Sequence, residues 1–381
     1  MKRLSFTYSC LAFLGLYCGQ PGGTGDKTGP TGYYAIDDFD RVEKIDAHVH
    51  LWKPLDTNFI KQAEADNFYL HSLHIYKTGG QPIEDQQEFS LELSRKYPGR
   101  VCWSTTFSLK DYHEKDWQKK AVDYLESSLK RGAVAVKVWK NIGMELRDSD
   151  SSLVMIDNPR FDPLLDYLEK KKIPLIAHLG EPRNCWLPIE QMTVKGDRNY
   201  FSKHPEHHLY LHPEFPGHEE YLAARNRMLD KRPGLIFIGA HLGSMEWSID
   251  QIAEHLDKYP NMAVDMAERI SHFQAQAVSD HRKVYDFFIR YQDRLLYGSD
   301  LRLVSLDIDG VEKIDPGAIK VFAHSVWRDH WRFFVSDETM ETSEVNGAFK
   351  GLKLPKETVD KIYRGNAQKW LGIKRQGSPG Q

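Results

Sequence analysis

The sequence predicts a single α/β domain, a closed (β/α)8 or TIM barrel over residues 39–375. Three observations lead there. Short apolar, β-branched runs recur along the chain, amphipathic helical stretches separate most of them, and eight such runs fall in one continuous segment. Strict strand–helix alternation implies a parallel sheet, and eight units in one domain close on themselves.

The strands are expected at 42–51, 68–76, 100–107, 133–139, 173–178, 235–241, 261–265 and 294–300. Helices are expected at 57–65, 82–97, 116–130, 162–172, 219–231, 249–258, 274–291, 318–334 and 356–371. In 116–130, Trp117, Val122, Leu125 and Leu129 share one side, and Pro98-Gly99 closes the preceding helix. No Gly-rich phosphate fingerprint follows the first strand, which argues against an open doubly wound sheet. No repeat at a solenoid period is present.

The N-terminus has a different character. Lys2 and Arg3 precede a mainly apolar run, 4–17, which is too short to span a bilayer and reads as a secretory signal, 1–18. Cys18 follows it, then Gly19, Gln20, Pro21, Gly22 and Gly23. This resembles a bacterial lipoprotein signal, which implies lipidation of Cys18 and an exported protein, periplasmic or membrane-anchored; a plain cleaved signal peptide is the alternative. Residues 19–38 read as a flexible linker and 376–381 as a disordered tail. Cys102 and Cys185 do not make a disulfide framework, and Cys102 reads as a small core residue. A net charge of -3, with no Lys/Arg-rich run, excludes nucleic acid as a partner. The expected partner is a small-molecule substrate, with membrane contact only through the lipid anchor and room for a homo-oligomer.

Polar residues fall in one structural place. Asp46-Ala47-His48-Val49-His50 closes the first strand, and residues two apart on a strand share a face. His48 and His50 then face the barrel interior together, Val49 packs against helices, and Asp46 shares the facing of the two histidines. Buried imidazoles side by side are costly unless something binds them, and a divalent metal such as zinc does so. His178 ends the fifth strand, His241 the sixth and Asp300 the eighth. These are carboxyl ends, where barrel enzymes keep their chemistry. Asp46 is a candidate for orienting an imidazole.

On Asp46-Ala47-His48-Val49-His50, Ala177-His178-Leu179-Gly180-Glu181-Pro182, Ala240-His241-Leu242-Gly243, Tyr297-Gly298-Ser299-Asp300 and Ile362-Tyr363-Arg364-Gly365-Asn366-Ala367, the chain resembles the amidohydrolase superfamily. The likeness is to the amidohydrolase-related (amidohydrolase 2) branch, over about residues 42–373. The resemblance implies a TIM barrel with one divalent ion, zinc first and manganese or another divalent ion next. It assigns the metal to His48, His50, His178 and Asp300, and catalysis to Asp300 and His241. In binuclear relatives the position of His241 binds a second metal, and a carboxylated lysine or a Glu bridges the pair. Lys137 stands where that bridge would be; a single ion is the favoured reading.

Two reactions fit this set. One is hydrolysis of an amide, lactone or ester of a small, anionic substrate; the other is non-oxidative decarboxylation of a small carboxylic acid. A non-catalytic surface lipoprotein is the third reading. Arg183, Glu181, Trp139, Lys137 and Arg302 are the candidate substrate contacts, with Lys140, Asn141, Asp265, Glu268 and Arg269 also expected at the mouth. The His-rich stretch 204–218, in a long loop after the fifth strand, has no spacing that matches a zinc motif.

Overall fold

In a computed structural model, residues 32–53, 57–302 and 316–373 are described. The eight expected strands are present: β1 (Lys44–Val49), β2 (Phe68–Leu73), β3 (Val101–Ser104), β4 (Val136–Val138), β5 (Leu175–Ala177), β6 (Phe237–Gly239), β7 (Met262–Asp265) and β8 (Leu295–Leu296). Every neighbouring pair is parallel, in two arcs ordered β1-β2-β3 and β4-β5-β6-β7-β8. Single bridges join the arcs, Thr105 to Val136 on one side and Val49 to Leu301 on the other. The backbone bonds Lys137 N to Thr105 O, 2.7 Å, and Asp300 N to His48 O, 2.8 Å, complete the circle. The sheet is a closed (β/α)8 barrel.

The side-chain layers follow strand alternation. Ile45, Ala47, Leu73, Cys102, Ile176, Ile238, Ala263 and Leu296, two from β1 and one from each other strand but β4, form one buried cluster with Ala135 just ahead of β4, so they fill the barrel interior. Ala367, Leu371 and Ile373 from the C-terminal helix join that cluster. Residues one step out of phase, such as Val136, Leu175, Phe237, Met262 and Leu295, pack in the larger cluster between strands and helices.

The expected helices fall close to their ranges, and the structure adds a short helix at Asn141–Met144 and one at Lys195–Lys203, inside the stretch read as a long loop. The closing stretch is not one regular helix: a π-helical turn, Lys361–Gly365, separates Lys356–Asp360 from Asn366–Leu371. A two-stranded antiparallel hairpin, β9 (Thr339–Met340) with β10 (Phe349–Lys350), was not anticipated, since two-residue strands leave no alternation to see. Cys102 and Cys185 are free and buried.

The linker expected over 19–38 stops short of 38. Ile36–Asp38 forms a 3-10 turn, Tyr34 donates to Asp360 at 2.7 Å, and the Trp331 indole donates to Ala35 O at 3.3 Å. Aromatic packing of Tyr34 on Trp331 ties this segment to the barrel. The signal segment with Cys18, the rest of that linker and the 376–381 tail lie outside the described residues. No helix among the described residues is long and apolar enough to cross a membrane.

Two buried histidines on and beside β2 make stability pH-dependent. His71 bonds Ala47 O and Ser104 Oγ, and His74 bonds Ser90 Oγ. Burial pushes both down to about 3. A histidine whose folded pKa lies below its unfolded value of about 6.5 takes up its proton more readily when unfolded. Its full contribution is therefore present above about pH 6.5 and is lost as pH falls toward about 3. At about pH 5 the pair is expected to cost about 4 kcal/mol relative to neutral pH. Denaturant melts across that range check it; stability unchanged between neutral pH and about pH 5 contradicts it.

Candidate metal centre

At the carboxyl end of the barrel, β1, β5, β6, β7 and β8 deliver their polar termini to one place. β1 carries a register shift between Asp46 and Val49. This bulge inverts the phase of the strand: Ile45 and Ala47 point inward, yet so do His48 and His50 after it. Asp46 therefore faces the helix layer instead of sharing the facing of the histidines. It accepts from Ser299 N at 3.0 Å, from the Ser299 hydroxyl and from the Trp327 indole at 2.9 Å. Burial raises its pKa to about 6, against those hydrogen bonds.

The imidazole-orienting carboxylate is Asp265, at the end of β7. His48 Nδ1 donates to Asp265 Oδ2 at 2.9 Å, and His241 N donates to Asp265 Oδ1 at the same distance. Burial favours the neutral acid, but His48 and then His241 and Lys137 outweigh it and hold Asp265 well below the usual carboxylate range. Two further imidazoles are oriented by backbone carbonyls. His50 Nδ1 donates to Leu73 O at 2.8 Å, and His241 Nδ1 donates to Ala267 O at 3.0 Å. In all three rings the proton sits on Nδ1, so each Nε2 is a bare lone pair.

Those lone pairs converge on Asp300. Asp300 Oδ1 lies 3.1 Å from His50 Nε2 and 3.3 Å from His48 Nε2. Burial alone would raise the Asp300 pKa; His48 and His50 reverse that and hold it well below the usual range, so the oxygen is anionic. Burial keeps His50, His178 and His241 neutral at ordinary pH. With those rings neutral no proton lies between the Nε2 lone pairs and Asp300, so an ionised Asp300 calls for a positive charge there, a proton on an imidazole or a metal ion. Asp300 Oδ1, His48 Nε2 and His178 Nε2 are indeed buried with no hydrogen-bond partner. Such atoms are costly unless a cation sits among them. The separations also match the edge of a tetrahedron about 3.3 Å long, as zinc bonds of about 2.0 Å produce.

Ligand atoms of His48, His241 and Asp300 lie within 4.8 Å of one another, which makes that trio able to hold one ion. His241, expected as a catalytic residue with second-metal binding as the alternative, thus stands within the ligand set itself. The His178 ring lies 4.2 Å from the His241 ring, centroid to centroid, at the rim of the same group. The Lys137 amine is buried among these groups without a hydrogen-bond partner. Burial lowers its pKa to about 8, opposed by Asp265 and Asp300.

A family model described as amidohydrolase matches residues 45–373. The chain belongs to this amidohydrolase family. Solved structures of related shape include an uncharacterised TIM-barrel protein from Bordetella bronchiseptica, 14% identical, covering 87% of this chain and 99% of that one, TM-score 0.47. Another is 2,6-dihydroxybenzoate decarboxylase with 2,6-dihydroxybenzoate bound, 18% identical, 87% and 99% covered, TM-score 0.49. A third is dihydroorotase from Saccharomyces cerevisiae with 5-fluoroorotic acid, 12% identical, 88% and 85% covered, TM-score 0.49. No curated protein matches the chain.

In this amidohydrolase the backbone at the mouth is strained. His241, Leu242 and Gly243 all have positive φ, at 55°, 59° and 62°, and Asp300 has φ 61°. Non-glycine residues hold that conformation only where the surroundings impose it, typically at functional sites. At His241 it also re-aims the side chain, which strand alternation from Ile238 and Ala240 would otherwise turn outward. Gly298 is required for close approach: a Cβ there would lie 2.8 Å from the His48 Cβ. Gly298→Ala is expected to displace His48, weaken metal binding about tenfold or more, and cost about 1–3 kcal/mol. Chelator competition and denaturant melts measure the two effects.

The expected substrate contacts are placed unevenly. Glu181 is ion-paired with Lys140, whose amine also lies over the half-buried Trp139 ring at 5.7 Å. Arg183 lays its guanidinium over Trp247 at 5.0 Å, and its backbone N donates to Glu246 at 2.7 Å, so that side chain already has a partner. Arg302 is exposed. Arg269 is buried beside the histidines, with its Nε unpartnered.

Proposed function

We propose that this amidohydrolase is a metal-dependent hydrolase that cleaves an amide, lactone or ester of a small, anionic substrate with water. One observation carries the reading. Imidazole Nε2 atoms and an anionic Asp300 oxygen converge within 3.3 Å, an arrangement that calls for a positive charge among them, which a metal ion supplies. The residues that would hold one divalent ion are His48, Asp300 and His241, whose ligand atoms lie within 4.8 Å of one another, with His50 3.1 Å from Asp300 and His178 beside His241, and zinc is favoured by the imidazole-rich set. Such an ion supplies Lewis acidity and acidifies water toward neutral pH.

The chain's own groups supply the rest. Asp300, held ionised, takes a proton from the attacking water on its carboxylate and returns it to the leaving group. His241, neutral and anchored through Nδ1 to Ala267 O, presents its Nε2 lone pair toward the site, where it accepts from the attacking water or from a substrate N–H or O–H group. Asp265 holds His48 in the tautomer that leaves Nε2 free. Lys140 and Arg269 furnish positive charge for an anionic substrate. The pattern from Lys2 to Cys18 supports an exported, lipid-anchored enzyme.

The test is a screen of metal-loaded and chelated protein over lactones, amides, esters and aromatic carboxylates. Acid release with incorporation of solvent oxygen, lost on chelation and restored by zinc, is the expected result. Carbon dioxide release without solvent oxygen replaces the hydrolase with a carboxy-lyase. Activity that survives full metal removal contradicts both.

A further inference from the structure

The long segment between β5 and β6 folds over a small core of its own, Cys185, Met192, Phe201 and Leu209. Its helix Lys195–Lys203 runs into a 3-10 turn, Pro205–His207. We propose that His204, Glu206 and His207, on and just before this turn, form a second metal site, for a zinc-class divalent ion, built from residues other than the histidines and Asp300 of the barrel. Each of the three offers one ligand atom, and the three atoms lie within 4.8 Å of one another.

The site is organised before any ion arrives. The rings of His204 and His207 lie 5.8 Å apart and near parallel, at 21°. Tyr200, one turn earlier on the helix, packs against both, at 4.7 Å and 5.9 Å. Its hydroxyl hydrogen-bonds His207 Nδ1 at 2.7 Å. His212 Nε2 donates to Pro205 O at 3.0 Å and ties the turn from its other end. Ring orientation fixed by an outer partner is what metal-binding histidines show, and prior ordering lowers the entropy cost of binding. Imidazole and carboxylate donors suit zinc, and the exposed position leaves water free to complete four ligands. When His207 ligates through Nε2, its single proton moves to Nδ1, which then donates to the Tyr200 oxygen. Sequence spacing hid the site because positions i, i+2 and i+3 meet only through the 3-10 turn.

The experiment is zinc counting after equilibrium dialysis of full-length protein, the His204→Ala/His207→Ala variant and Asp300→Asn. The expected result is one fewer zinc in the double variant than in the native protein, with that same zinc retained in Asp300→Asn. Both histidines are surface residues, so the double variant folds, which its melting curve in chelator checks. Equal zinc in the double variant and the native protein overturns the site, as does zinc lost only in Asp300→Asn. Zinc absent from the mouth but present at the turn leaves this site standing and removes the proposed catalytic metal instead.

Discussion

Asp300→Asn is expected to lower kcat/KM by about 10²–10⁴-fold, the range for loss of a general acid–base group. The substitution preserves shape and removes the negative charge. The amide also offers a donor to His48 Nε2 or His50 Nε2, now 3.3 Å and 3.1 Å from Oδ1, so those lone pairs become satisfied without a cation. Metal content is therefore expected to fall together with rate. Because the charge on Asp300 is buried, the variant is also expected to melt no lower than metal-free native protein. Rate loss below tenfold, with metal retained, contradicts the role assigned to this carboxylate.

Asp265→Asn is the second large effect, and it acts through another residue. Asp265 accepts from His48 Nδ1 and from the backbone of His241 and Ala267. An asparagine that turns its amide NH₂ toward His48 forces the proton onto Nε2, which then cannot ligate. Metal affinity is expected to fall about 10–100-fold. Excess zinc is expected to restore much of the rate, since Asp265 touches neither water nor substrate in the proposed mechanism. Chelator competition gives the affinity, and a zinc-dependent rate series gives the rescue. Unchanged affinity contradicts the tautomer argument.

The barrel was legible because its two periodicities are strong. All eight strands lie inside their expected ranges, since apolar runs such as Leu175–Ala177 are bounded by helices of clear amphipathic period. The placement of His48, His50, His178, His241 and Asp300 at strand ends was legible for the same reason. Facing was less legible. A one-residue bulge in β1 inverts Asp46 relative to His48, and left-handed backbone at His241 re-aims its ring. Neither leaves a trace in hydrophobic pattern. Asp265 could have been found as the orienting carboxylate: it ends β7 as Asp300 follows β8, in the same interior phase as Ala263. Partners such as Lys140 for Glu181 and Trp247 for Arg183 depend on loop packing, which carries no period.

Anomalous diffraction from zinc-loaded crystals, collected on both sides of the zinc edge, tests the central claim most directly. The expected result is a strong peak within about 2.0–2.2 Å of His48 Nε2, His50 Nε2 and an Asp300 oxygen. An ordered mouth with no peak between those three atoms contradicts it.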